Sequence, residues 1–153
     1  MSYAAPASTR VELKHDLAVE LLRRCGEARL PVNGSSMLPS LWPGDILEVR
    51  HEDVAKIALG QVVVFQRDAR LVVHRVIRRV RRDGSTLLIT RGDRRWTPDA
   101  PVSSKELLGC VEVVERGDRR FQPSLTLWAR VGSIICRSEM GARALGRCMR
   151  WLQ

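Results

Sequence analysis

The stretch Gln61–Arg91, QVVVFQRDARLVVHRVIRRVRRDGSTLLITR, holds three β-type runs in succession. Gln61–Arg67, Leu71–Arg81 and Thr86–Arg91 are rich in branched apolar residues, and Ala69-Arg70 and Asp83-Gly84 supply the turns between them. Side chains alternate across a strand, so Val72, His74, Val76 and Val80 share one face while Arg75, Arg79 and Arg81 share the other. His74 therefore points toward an apolar face. Outward from this core, Asp45–Arg50 follows a Pro43-Gly44 turn and reads as a preceding strand. Leu107–Glu115 reads as a later one, beyond a longer stretch that holds Pro98 and Pro101. The expected fold is mainly β, a curved and mostly antiparallel scaffold.

The flanks change period. Residues 1–8 are small and polar and are expected to form a disordered tail. Thr9 and Glu12 have capping-box spacing, Leu17, Val19, Leu21, Leu22 and Cys25 recur at roughly helical spacing, and Gly26 is a natural stop. A single helix over 9–26 follows, which is less than the two helices and tight turn of a helix-turn-helix DNA reader. After Gly117-Asp118 the pattern turns helical again, with Pro123-Ser124 as an opening and Leu127, Val131, Ile134, Ile135, Met140, Ala144, Leu145, Cys148 and Leu152 as its apolar stripe. Glu139 is the only acid from residue 119 onward, against seven arginines. The division expected is a domain over 9–118 and a basic amphipathic helical extension over 119–153. Such a helix packs on its own domain by default, and it also has the character that binds a partner or lies on anionic lipid.

With 153 residues, 44% hydrophobic and 28% charged, the chain has the size and composition of one globular domain. The formal charge is +9, and arginine supplies nearly all of the basicity because Lys14, Lys56 and Lys105 are the only lysines. A solvated basic face is the plain reading of that charge, and an acidic partner the sharper one. No stretch approaches the roughly 18 apolar residues of a membrane span, and the opening residues lack a secretory pattern. Cys25, Cys110, Cys136 and Cys148 form no C-x-x-C pair, so free thiols in a reducing compartment are expected, with no metal site and no cofactor. Specific nucleic-acid binding is not expected.

Three segments carry candidate chemistry: Gly34-Ser35-Ser36-Met37-Leu38-Pro39, Val72-Val73-His74-Arg75 and Thr90-Arg91-Gly92-Asp93 leading to Pro98-Asp99. Singly, each reads as a turn, a core histidine or another turn. Together they hold the parts of a nucleophile relay. A serine hydroxyl needs a base within hydrogen-bond reach, and a histidine serves when a carboxylate fixes its tautomer. Ser36, His74 and either Asp93 or Asp99 have those roles open to them. Gly34 and Pro39 would hold the serine in a rigid loop, and the backbone amides around Gly34–Ser36 are the natural oxyanion donors.

Ser36-Met37-x-Pro39-x-Leu41-x-x-Gly44-Asp45, Gly60-x-Val62-Val63-Val64-Phe65, His74-Arg75-Val76-Ile77 and Gly92-Asp93 occur in this order, and the block resembles the signal peptidase I family from about residue 31 to 115. Proteases of the SOS-repressor type share the first segment. The resemblance implies a serine endopeptidase on a mainly β scaffold, with Ser36 as nucleophile. Bacterial members use a lysine base, whereas the archaeal and endoplasmic-reticulum branch has histidine, which falls here on His74. That branch also carries an aspartate six residues beyond its Gly-Asp, which is Asp99; Asp93 is a supporting carboxylate or the runner-up for the third role. Gly34, Ser35, Met37 and Pro39 take the oxyanion and substrate-binding positions. Two departures stand out. Gly34 lies where many members have a hydroxyl residue, and no membrane anchor is evident. The expectation is a small soluble relative, cytoplasmic and with a route to peripheral membrane contact through its basic C-terminal helix, that removes a leader or pro-segment from a precursor protein. Two alternatives are a self-cleaving repressor-like regulator and a catalytically silent binding module. The first is disfavoured by the missing DNA-reading helices and the histidine base.

Overall fold

The structure is a computed structural model and describes residues 7–123, the first nine of them as backbone only. One helix, α1 (Ala7–Cys25), precedes seven strands: β1 (Glu27–Pro31), β2 (Ile46–Arg50), β3 (Val62–Arg67), β4 (Arg70–Arg82), β5 (Ser85–Arg91), β6 (Leu107–Arg116) and β7 (Arg119–Phe121). They form one open antiparallel sheet in the order β1-β2-β6-β3-β4-β5. β7 pairs with the end of β6, on the edge that β3 covers at its start. Register shifts at Glu48/Val49, Val64/Phe65 and Val76/Arg78 mark bulges, which bend strands and increase their twist.

The strand β3 shows why the valine run is unbroken. Val62 and Val64 join a cluster with Leu30, Met37, Leu41, Leu47, Val49, Leu108 and Val114, and α1 covers it with Ala18, Val19 and Leu22. Val63 and Phe65 point to the opposite face, among Ile57, Val76, Leu88, Val102 and Leu107. Both faces of β3 are buried, so neither tolerates the polar alternation of a half-exposed strand. The helix ends as its sequence predicts: Gly26 has φ 77° and its N–H returns to the Leu22 carbonyl at 3.2 Å.

Five strands fall where the apolar runs place them. The differences are at weaker signals. The helix begins at Ala7, so Ala7 and Ser8 of the expected tail are helical and Thr9 is not its cap. Residues 1–6 lie outside the described residues. β1 has no sequence expectation behind it, because only Leu30 of Glu-Ala-Arg-Leu-Pro is buried. Arg119–Phe121 is a strand, a correction to the helical extension expected from 119. It pairs with β6 across the Gly117-Asp118 turn, where Gly117 has φ 56°. The expected helical stripe from Ser124 to Leu152 lies outside the described residues.

Gly109 on β6 leaves no room for a side chain. A Cβ there would lie 2.4 Å from the Arg50 carbonyl oxygen and 3.0 Å from Val49 Cγ1. Gly109→Ala is expected to cost on the order of 1–3 kcal/mol in chemical denaturation. Gly34→Ala, in open space at an ordinary φ, is expected to stay within about 0.5 kcal/mol of wild type.

Candidate active site

The loop between β1 and β2 is closed at its base by two backbone bonds, Val32 N–H to Asp45 O and Gly44 N–H to Val32 O, both 2.8 Å. Met37 and Leu41 anchor it in the core at 2% and 0% exposure. Asp45 organises its far half. Its carboxylate accepts the Trp42 N–H at 2.8 Å and two bonds from Arg116, whose guanidinium also lies 5.6 Å from the Trp42 ring. The Trp42 indole N–H donates to Pro39 O at 3.0 Å. Ser36 thus sits, half-buried, on a loop fixed at both sides.

His74 lies on β4 opposite Val63 and is 3% exposed. Its Nε2 is 3.1 Å from Ser36 Oγ, and its Nδ1 is 2.5 Å from Asp99 Oδ2. Thr90 Oγ donates to the same Asp99 oxygen at 2.8 Å, and the Asp99 N–H donates to Thr90 O at 2.8 Å. A carboxylate only accepts. Nδ1 therefore carries the proton, and Nε2 turns its lone pair toward the serine hydroxyl. The imidazole and Phe65 rings pack edge-wise at 66°, 6.3 Å between centroids.

Gly92 permits this approach. A Cβ at residue 92 would lie 2.7 Å from the Ser36 carbonyl oxygen and 3.0 Å from His74 Nε2. That same carbonyl accepts the Arg94 N–H at 2.9 Å, which ties the serine loop to the segment following β5. Among the described residues, none of the Gly34, Ser35 and Ser36 N–H groups donates to a protein acceptor.

Asp93 is placed elsewhere. It accepts two bonds from Arg75, Nε to Oδ1 and Nη2 to Oδ2, each 2.8 Å. The same guanidinium reaches Gly60 O at 2.7 Å, Pro123 O at 3.1 Å and Ser40 Oγ at 3.3 Å. Asp93 is thus a structural partner of Arg75, and the carboxylate on His74 is that of Asp99. Met37 sits with its side chain in the core, at 2% exposure.

Thr90, Gly92, Arg75 and Arg67 acquire parts that sequence reasoning did not give them. Gly92 and Arg75 were in the motif, next to the residues chosen. Arg67 lies just past the Gly60–Phe65 motif, with its guanidinium 5.2 Å from the Phe65 ring. It donates to Ala100 O and Pro101 O at 3.0 Å each and to Glu106 at 2.8 Å, and so braces the segment that carries Asp99. Burial raises the Glu106 carboxyl. The Ser103 N–H, Arg67 and the Ser103 hydroxyl outweigh that effect and hold it below its ordinary value.

The buried thiol of Cys110 is pushed up to about 11, foremost by burial and then by the carboxylates of Glu112 and Glu52. It stays a thiol at neutral pH. Among the described residues no three His, Cys, Asp or Glu side chains are grouped for a metal ion, and no described helix is long and apolar enough to cross a membrane. No family model matches this chain, and no curated protein matches it.

Two outcomes follow from the braces. Removing one partner of a buried ion pair costs about 3–5 kcal/mol, so Arg75→Met and Asp93→Asn are each expected to lose stability on that scale. The double variant should lose less than their sum, measured by urea denaturation. Glu106, with its lowered carboxyl, contributes stability that is present above the ordinary glutamate value and lost as pH falls through its own. The wild-type advantage over Glu106→Gln should therefore be seen at neutral pH and vanish in acid, read from melting curves across pH.

Proposed function

We propose that this chain is a serine endopeptidase in which Ser36 is the nucleophile, His74 the general base and Asp99 the group that orients the imidazole. The single observation that carries the reading is the unbroken relay from Ser36 Oγ through His74 Nε2 and Nδ1 to Asp99 Oδ2, at 3.1 and 2.5 Å. Three segments far apart in sequence converge to make it, inside a site that buries the histidine.

In the proposed reaction Ser36 Oγ bonds to the scissile carbonyl carbon as His74 Nε2 takes its proton. The oxyanion is received by backbone N–H groups around Gly34–Ser36. The C–N bond then breaks as His74 returns the proton to the leaving amine, and water repeats the cycle on the acyl-enzyme. Asp99 stays a carboxylate and stabilises the imidazolium, with Thr90 sharing its charge.

The resemblance to the signal peptidase I family, and to its histidine branch, is part of the same proposal. Ser36-Met37, His74-Arg75 and Gly92-Asp93 are the segments that meet at the relay, and a signal-peptidase-type scaffold is the finer fold we infer. The substrate class is a leader or pro-segment of a precursor protein, bound extended along the sheet beside Ser36. Action in the cytoplasm or at a membrane surface belongs to the same reading.

A leader-peptide library digested by the wild type, Ser36→Ala and His74→Ala, with products read by mass spectrometry, tests it. Wild-type cleavage is expected to fall by roughly 10³-fold or more in both variants and by about 10²–10⁴-fold in Asp99→Asn. Identical traces from all of them would sink the enzyme and leave a silent binding module.

A further inference from the structure

We propose that Arg94 and Arg95 are specificity-determining residues, and that the site takes peptides with acidic side chains beside the scissile bond. This rests on the peptidase reading above and names its substrate class.

The backbone of Arg94 and the stem of Arg95 lie beside the serine and the base. The Arg94 N–H is bonded to the Ser36 carbonyl at 2.9 Å, so residue 94 runs alongside the serine backbone. The point where a Gly92 Cβ would stand is 3.0 Å from His74 Nε2 and 3.2 Å from Arg95 Cγ. The stem of Arg95 and the base thus flank one small space. A turn closed by the Arg95 N–H on Gly92 O at 2.8 Å holds this geometry.

Among the described residues, no carboxylate is paired with the charge on this rim. Both acids of the segment are committed elsewhere, Asp93 to Arg75 and Asp99 to His74 and Thr90. Among the described residues, neither Arg94 nor Arg95 makes an ion pair or a side-chain hydrogen bond. Arg95 is exposed, Arg94 is half-buried, and Trp96 beside them is 46% exposed. On the sheet, Arg67, Arg116 and Arg120 pair with carboxylates, whereas Arg78, Arg81 and Arg119 pair with none among the described residues but lie away from the reacting atoms. A guanidinium offers two parallel donors to a carboxylate, and a substrate laid over the site would strengthen the pair by excluding water. Lysine or arginine at the same substrate position would meet like charge, which adds selection by repulsion.

The test uses extended peptides in which each position is fixed in turn as Glu, Gln or Lys. The wild type is expected to favour Glu over Gln and Gln over Lys at positions flanking the cleaved bond, with the preference shrinking as salt rises. Arg94→Glu/Arg95→Glu is expected to reverse the order, with a change of about three- to tenfold in relative kcat/KM for each peptide. Cleavage without a Glu preference, or with one that the double variant keeps, overturns the inference and leaves the peptidase standing. Fluorescence anisotropy of the same peptides on Ser36→Ala separates the two claims. Tighter binding of Glu peptides that Arg94→Glu/Arg95→Glu abolishes supports the recognition even where no peptide is cut, an outcome that removes only the peptidase. Equal binding of Glu and Lys peptides overturns the recognition.

Discussion

The buried pair of Arg75 with Asp93 is the constraint on which the site depends. One guanidinium joins β4, the segment after β5, the turn before β3 at Gly60 and the serine loop at Ser40. Arg75 is 8% exposed and has filled its donors with carboxylate, carbonyl and hydroxyl oxygens, the condition under which a buried charge is tolerated. His74, the preceding residue, points to the other side of the strand. The dipeptide therefore fixes two things at once: His74 meets Ser36 and Asp99, and Arg75 holds the loops that bring those two residues to it.

Around this centre the braces are graded by distance. Gly92 lets two backbones approach without a side chain between them, and the Arg94 N–H locks them together. Arg67 with Glu106 fixes the Asp99 segment from the far side, and Arg116 with Asp45 fixes the serine loop. Each of the three carboxylate braces uses arginine rather than lysine, as suits a planar donor that serves several oxygens. The arginine richness of the chain is in this part architectural.

Much of the β fold was legible because it rests on local signals. Branched apolar runs and Gly-containing turns placed β2 to β6 within one or two residues. The strands that escaped are those whose burial is decided by neighbours: β1 buries Leu30 and half-buries the small Ala28 against the core, and β7 is three residues held by pairing to β6. Strand alternation put Arg75 on the face opposite His74, and that holds. Beyond Val76 the expectation is corrected, because the bulge at Val76/Arg78 shifts the phase: Arg79, paired with Leu88, lies on the His74 face and Val80, paired with Leu87, on the Arg75 face. What alternation could not tell is that the serine loop and the Gly92–Asp93 turn cover that face at Arg75 and bury it. Ser36 and His74 were legible from residue type and order. The choice between Asp93 and Asp99 was not, because it depends on the chain folding back after Arg91 so that the Asp99 N–H reaches Thr90 O.

The central claim is that Asp99 holds His74 with its proton on Nδ1 and its lone pair on Nε2, facing Ser36. Nitrogen NMR of the histidine rings at pH 8, on wild type and Asp99→Asn, measures that directly. The account predicts a protonated Nδ1 and a bare Nε2 for His74 in the wild type, with the tautomer mixed or reversed once Asp99 is replaced. A wild-type ring with its proton on Nε2, or one indifferent to Asp99→Asn, would contradict it.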